Sequence, residues 1–198
     1  MNNLIMIGVD IGQKREPTAI CVAELDERRN DRRRINHFVV RHLERLPLGT
    51  SYPAVARRLS EVSGGIRKKI HRRPSLYVDA TGIGQPIIKL LREETNNLGS
   101  ITPVYFTHGD QRSHERGEIR LGKGYLVSSL QTLLQTTRLH LPRTEESERL
   151  ALELLEYEIK VDENANERYG AFRVGTHDDL VTALGLAVNK EPRRPQVF

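Results

Sequence analysis

Three strand-like runs crowd the start of the chain: Leu4 to Val9, Thr18 to Leu25, and Ile35 to Leu43 with its alternating apolar and polar residues. The connections between them are too short to hold a crossover helix, so the runs must fold back on one another as an antiparallel meander. Strand and helix patterns alternate after that. Val55, Leu59, Val62, Ile66 and Ile70 recur at helical spacing, with Gly64-Gly65 weakening the middle of the helix and Pro74 ending it. Leu76 to Val78 reads as a fourth strand, Pro86 to Glu94 as a helix and Ile101 to Phe106 as a fifth strand, followed by a polar, basic connection from Thr107 to Arg120. Helices are expected over Tyr125–Arg138, Glu145–Tyr157 (apolar residues Leu150, Leu152, Leu154 and Leu155) and Asp178–Asn189, with a hairpin from Lys160 to Val174 turning near Asn164–Asn166. A meander followed by strand–helix–strand units gives an α/β fold: a mixed sheet of three antiparallel strands with parallel additions, flanked by helices.

Composition narrows the class. With 198 residues, 37% of them hydrophobic, the chain suffices for one domain, expected over residues 1–190 with a basic, proline-containing tail at 191–198. No run approaches the ~18 apolar residues of a membrane span, and no basic segment precedes Leu4 as in a signal peptide. A single cysteine, Cys21, has no internal partner, so the chain reads as intracellular and reduced. The net charge of +5 is concentrated in arginine-rich clusters at residues 28–34, 67–73 and 193–194, a pattern that suits a polyanionic partner.

Acidic residues mark the ends of elements. Asp10 closes the first strand, Asp79 closes the fourth, and Asp178-Asp179 opens the last helix. Each has a plain explanation alone, since Asp favours turns before Gly and caps helices for about 1 kcal/mol. The combination is more informative. The first and fourth strands of such a sheet can be parallel neighbours, and a helix packed at the same edge brings its first residues to their carboxyl ends. Carboxylates gathered there repel one another unless cations bind, and an all-oxygen donor set suits Mg²⁺ or Mn²⁺. Two such ions can serve phosphodiester cleavage.

Val9-Asp10-Ile11-Gly12, the stretch Val78 to Gly84 (VDATGIG) and the stretch His177 to Leu184 (HDDLVTAL) resemble the nuclease domain of phage terminase large subunits, over roughly residues 4 to 190. The segment Lys123 to Leu141 is also similar to that family's helix before its acidic region. The resemblance implies a ribonuclease H-like fold and a two-metal endodeoxyribonuclease, a viral DNA-packaging enzyme in the host cytoplasm. It further implies that Asp10 bridges both metals, Asp79 holds one and Asp178 or Asp179 the other, with Asp179 ranked slightly ahead. His177 is an auxiliary candidate. Lys14, Arg15, Arg112, Arg116, Arg120 and Lys123 are candidates for gripping DNA phosphates. With aromatics at only 5%, no base-stacking platform is evident, so contact with double-stranded DNA should be mainly to its backbone and weakly sequence-specific. The implied hairpin lies beside the active-site groove. Terminase large subunits also carry an ATPase motor, which this sequence does not show, so it reads as an isolated nuclease domain, a part cut from a longer chain or a stand-alone relative, with a separate motor or portal among the partners that the resemblance allows.

Rival readings are weaker. Gly117 to Gly124 fits G-x-x-x-x-G-K, but Gly124 replaces the Mg²⁺-binding Ser or Thr and no apolar strand precedes it, so a P-loop is rejected. Gly82-Ile83-Gly84 lacks the third glycine of a dinucleotide fingerprint, where Ile87 stands. No zinc-ligand spacing or nucleophile elbow is present. A Holliday-junction resolvase-like nuclease would need the same carboxylates. A non-catalytic DNA-binding or assembly module would use them only as caps and turns. An actin-like phosphotransferase would need a second lobe that this length does not hold.

Overall fold

A computed structural model describes residues 4–12, 16–30, 33–82, 85–94, 99–161, 167–170 and 177–189. Its centre is β1 (Leu4–Asp10), whose interior is buried from Ile5 to Val9. On one side β1 pairs antiparallel with β2 (Ala19–Asn30), and β2 pairs antiparallel with β3 (Arg33–Arg45), which is the expected meander. Both strands run further than their apolar patterns suggest. On its other side β1 pairs parallel with β4 (Ser75–Asp79), and β4 with β5 (Ser100–Thr107). The fold is α/β, with an eight-stranded mixed sheet.

Three of its strands lie outside the expected pattern. The polar connection contains β6 (Arg112–Glu115) and β7 (Glu118–Gly122), which form a hairpin, and β7 extends the sheet parallel to β5. β8 (Leu139–His140) adds a short parallel edge to β3. The order across the sheet is β6-β7-β5-β4-β1-β2-β3-β8.

Helices cover both faces. α1 (Tyr52–Ile70) and α2 (Gln85–Glu94) close one face, where Val55, Ala56, Leu59, Ile88 and Leu91 meet Ile7, Ile20, Leu76 and Val78. α1 runs unbroken through Gly64 and Gly65, because a side chain there would meet nothing and the missing Cβ removes no packing. α3 (Lys123–Gln135), α4 (Glu145–Glu156) and α5 (Asp179–Val188) close the other face over Met6, Ala19, Cys21 and Phe38. On α4, Leu150 is fully buried, but Leu152 and Leu155, expected on its apolar face, are exposed. The expected hairpin begins two residues early, as β9 (Glu158–Val161) paired antiparallel with β10 (Glu167–Gly170) in a sheet of its own. Its turn lies outside the described residues, as does the tail. Among the described residues, no helix is long and apolar enough to cross a membrane.

α5 is buried along its whole length, a consequence of its apolar sequence LVTALGLAV lying against β1 and β2. The approach is backbone to backbone. A Cβ on Gly8 would lie 2.0 Å from the Ala183 carbonyl oxygen and 2.5 Å from the Ala187 nitrogen. Gly8→Ala must therefore lift α5 from the sheet, and is expected to destabilise the protein by about 1–3 kcal/mol in chemical denaturation. A variant as stable as the parent would contradict this packing.

Candidate active site

Parallel pairing of β1 and β4 puts their carboxyl ends side by side, with Val9 opposite Val78, so that Asp10 and Asp79 emerge at one sheet edge. α5 starts at the same edge, which places Asp178 and Asp179 there as well. The electrostatics of Asp10 reflect this convergence. Burial raises its carboxyl well above the ordinary range, and the charges of Asp79, Asp178, Asp179 and Glu16 raise it further. Asp79 is also raised by burial, while hydrogen bonding from Thr81 and the charge of Lys123 pull it back. Asp79 is oriented by its own turn: the Thr81 amide donates to its Oδ1 at 2.8 Å, and the Thr81 hydroxyl accepts from the Phe106 amide at 2.8 Å.

The two adjacent aspartates have different surroundings. Asp178 is half-buried and serves as the N-cap position of α5, its carbonyl accepting from Thr182 at 2.9 Å, but its side chain makes no capping bond. Asp179 is buried, and its Oδ2 accepts from Arg45 Nε at 2.6 Å. Its Oδ1 lies 3.7 Å from Nδ1 of the exposed His177.

Two further residues, Arg45 and Glu153, join the site without belonging to any of the sequence motifs. Glu153, on α4, is 5% exposed. One of its oxygens pairs with Arg45 Nη2, and the other accepts from the amides of Leu180 and Val181 at 3.0 and 3.3 Å. A carboxylate from another helix thus caps α5, and the arginine between it and Asp179 is charge-balanced on both sides. A signal for Glu153 does exist in the sequence. Leu150, Glu153, Leu154 and Tyr157 have helical spacing, and Glu153 is the acidic exception on that face.

The phosphate-gripping candidates scatter. Lys123 opens α3 directly after β7, where its charge acts on Asp79, and its Nζ lies 5.7 Å from the centre of the Phe106 ring. Arg112 turns inward instead, its Nη2 3.5 Å from the Asn189 side chain and its charge acting on Tyr77. Arg116 occupies the turn between β6 and β7 with φ +51°, at the end of the hairpin away from the carboxylates, and Arg120 is exposed on β7. Lys14 and Arg15 lie outside the described residues.

No protein-family model matches the chain, and no curated protein matches it in sequence. Solved structures do. The large terminase nuclease of thermophilic phage G20c with bound magnesium superposes with a TM-score of 0.67 at 21% identity, over 96% of this chain and 82% of that one. The nuclease domain of the Thermus phage P74-26 large terminase gives 0.64 at 20% identity, over 94% and 78%. The chain has the large terminase nuclease fold. The manganese-soaked terminase nuclease domain of human cytomegalovirus carries the same fold at 14% identity, with a TM-score of 0.58 over 93% of this chain and 81% of that one.

The carboxylates at this edge offer only oxygen atoms, in buried or part-buried surroundings where they repel one another. Those are the conditions in which a hard divalent cation is favoured over protonation. Among the described residues, no three acidic, His or Cys side chains are already gathered into an ion cage.

Proposed function

We propose that the chain is a divalent-metal-dependent endonuclease that cuts double-stranded DNA with weak sequence specificity, acting in genome processing as terminase nucleases do. The observation that carries this reading is the meeting of Asp10, Asp79 and the Asp178-Asp179 pair at one sheet edge from three separate parts of the chain, with Asp10 under repulsion from the others. Asp10, Asp79 and Asp179 would hold two Mg²⁺ or Mn²⁺ ions, with Asp10 between them. Bound there, such ions supply Lewis acidity and charge stabilisation to phosphodiester hydrolysis.

The remaining work falls to the chain itself. Thr81 fixes Asp79 through its amide. Arg45 fixes one oxygen of Asp179 and leaves the other available, so the arginine orients a carboxylate that still has a free face for a cation. Asp178, unheld by a capping bond, assists from the rim. Lys123 is positioned to meet a phosphate beside Asp79, and His177 to meet one beside Asp179.

Plasmid cleavage tests the proposal. The protein should nick and linearise supercoiled DNA with Mn²⁺ or Mg²⁺ and be silent in EDTA. Preference for a four-way junction over a linear duplex would move the assignment to a resolvase, and no cutting with either metal would reject a nuclease.

A further inference from the structure

Charge is divided along the strand direction. The carboxylates occupy the edge where β1 and β4 end. In the sequence, residues 67–73 carry five cations and no anion, and residues 26–37 carry five cations against three anions. These two stretches together exceed the +5 net charge of the whole chain, so the remainder is net acidic.

The described residues of both stretches lie at the end of the sheet opposite the carboxylates. β1 begins at Leu4 opposite Leu25, so Asp26–Asn30 of β2 has only β3 to pair with on its flank. This two-stranded ribbon projects by about 17 Å, at ~3.4 Å per residue. It carries Arg28 and Arg34, 49% and 65% exposed, and the exposed Arg29. The second stretch closes α1, a helix about 28 Å long that starts by the carboxylate edge and ends just before β4. Three cations in its last turn complement the helix dipole, but Arg73 lies beyond that turn and is exposed. The ribbon's pairs, Arg28 with Asp26 at 2.8 Å and Arg34 with Glu27 at 3.6 Å, are solvent-exposed and hold these arginines only weakly.

We propose that the ribbon and the end of α1 form a second surface for duplex DNA, remote from the cutting edge and bound through phosphates. A two-stranded ribbon fits the major groove, and arginine-rich, aromatic-poor surfaces suit the backbone, which favours a duplex over an acidic protein. The proposal rests on the nuclease reading only for its choice of partner.

Fluorescence anisotropy with a 30-base-pair duplex in EDTA, over a salt series, tests it without catalysis. Lys68→Glu/Lys69→Glu/Arg73→Glu and Arg28→Glu/Arg34→Glu should each bind at least about tenfold more weakly. The salt slope should fall by about one unit for each phosphate that the variant no longer neutralises. Lys68→Gln/Lys69→Gln guards against misfolding of the charge reversals and should show a smaller loss of the same kind. Unchanged affinity and slope in a protein that cuts plasmid overturns the surface and leaves the nuclease standing. A reduced slope in a protein that never cuts supports the surface and removes the nuclease. Intact DNA binding with lost binding to polyglutamate overturns the surface as a DNA site and assigns it to an acidic protein.

Discussion

Asp10→Asn is expected to remove metal-dependent DNA cleavage by at least about a thousandfold, equivalent to about 4 kcal/mol of transition-state stabilisation. The same variant should fold at least as well as the parent in EDTA. Asp10 is the carboxylate that burial and the neighbouring acids most oppose in its charged form, so a neutral amide of the same shape relieves repulsion while withdrawing a metal ligand. Lost activity with retained or raised thermal stability separates a cation-binding role from a structural one. A turn or cap residue would show the reverse pattern, and continued cutting by the variant would remove the proposed centre. Asp179→Asn and Asp178→Asn provide the comparison. Asp179, held by Arg45, should show the larger loss, and Asp178 a loss of about 10- to 100-fold, as expected of a group that supports a ligand.

Glu153→Ala should destabilise the protein by about 3–5 kcal/mol, because it leaves Arg45 half-compensated in a buried site and strips two amides at the start of α5 of their acceptor. That is a large share of the roughly 5–15 kcal/mol typical of a folded domain. Glu153→Gln keeps a carbonyl acceptor for the amides and removes only the charge, so it should retain more of the stability. Its cutting should still weaken, with a higher Mn²⁺ requirement, since Arg45 would then bear on Asp179 alone. Chemical denaturation and Mn²⁺ titration of cleavage read the two effects separately. A glutamine variant with parental metal dependence would confine Glu153 to a packing role.

Much of this fold is legible because its central elements are apolar and punctuated. β1 and β2 have runs of buried residues and β4 alternates around buried Leu76 and Val78, and the acids closing β1 and β4 stand where those apolar segments stop. β6 is hidden for a physical reason: Arg-Ser-His-Glu is mostly exposed at the sheet margin, so nothing in its sequence alternates, whereas β7 does alternate around Ile119 and Leu121 but over only five residues. The ribbon beyond Leu25 is equally hard to read, because it pairs by backbone alone and buries little on either side. Gly64-Gly65 argues for a break in α1, but the helix is held by Val55, Ala56 and Leu59 earlier in its length. In the candidate site the aspartates are readable by position. Glu153 can be picked out as the acid on the apolar face of α4, but its pairing with Arg45 cannot, since that depends on β3 and α4 meeting in space, and Arg45 alone looks like a surface residue in a charged chain.

The two halves of the proposed centre belong to distant parts of the polypeptide. Asp10 and Asp79 are synthesised before Asp178 and Asp179, which follow about a hundred positions after Asp79, behind α3, α4 and the hairpin. A nascent chain can pair β1 with β2 and β4 well before it owns the acids of α5. During that interval it has a sheet but no complete set of carboxylates, so under the proposed function no cutting centre exists until α5 has been made. Docking α5 over Gly8 then closes the core and, under the proposed function, completes the carboxylate set in the same step.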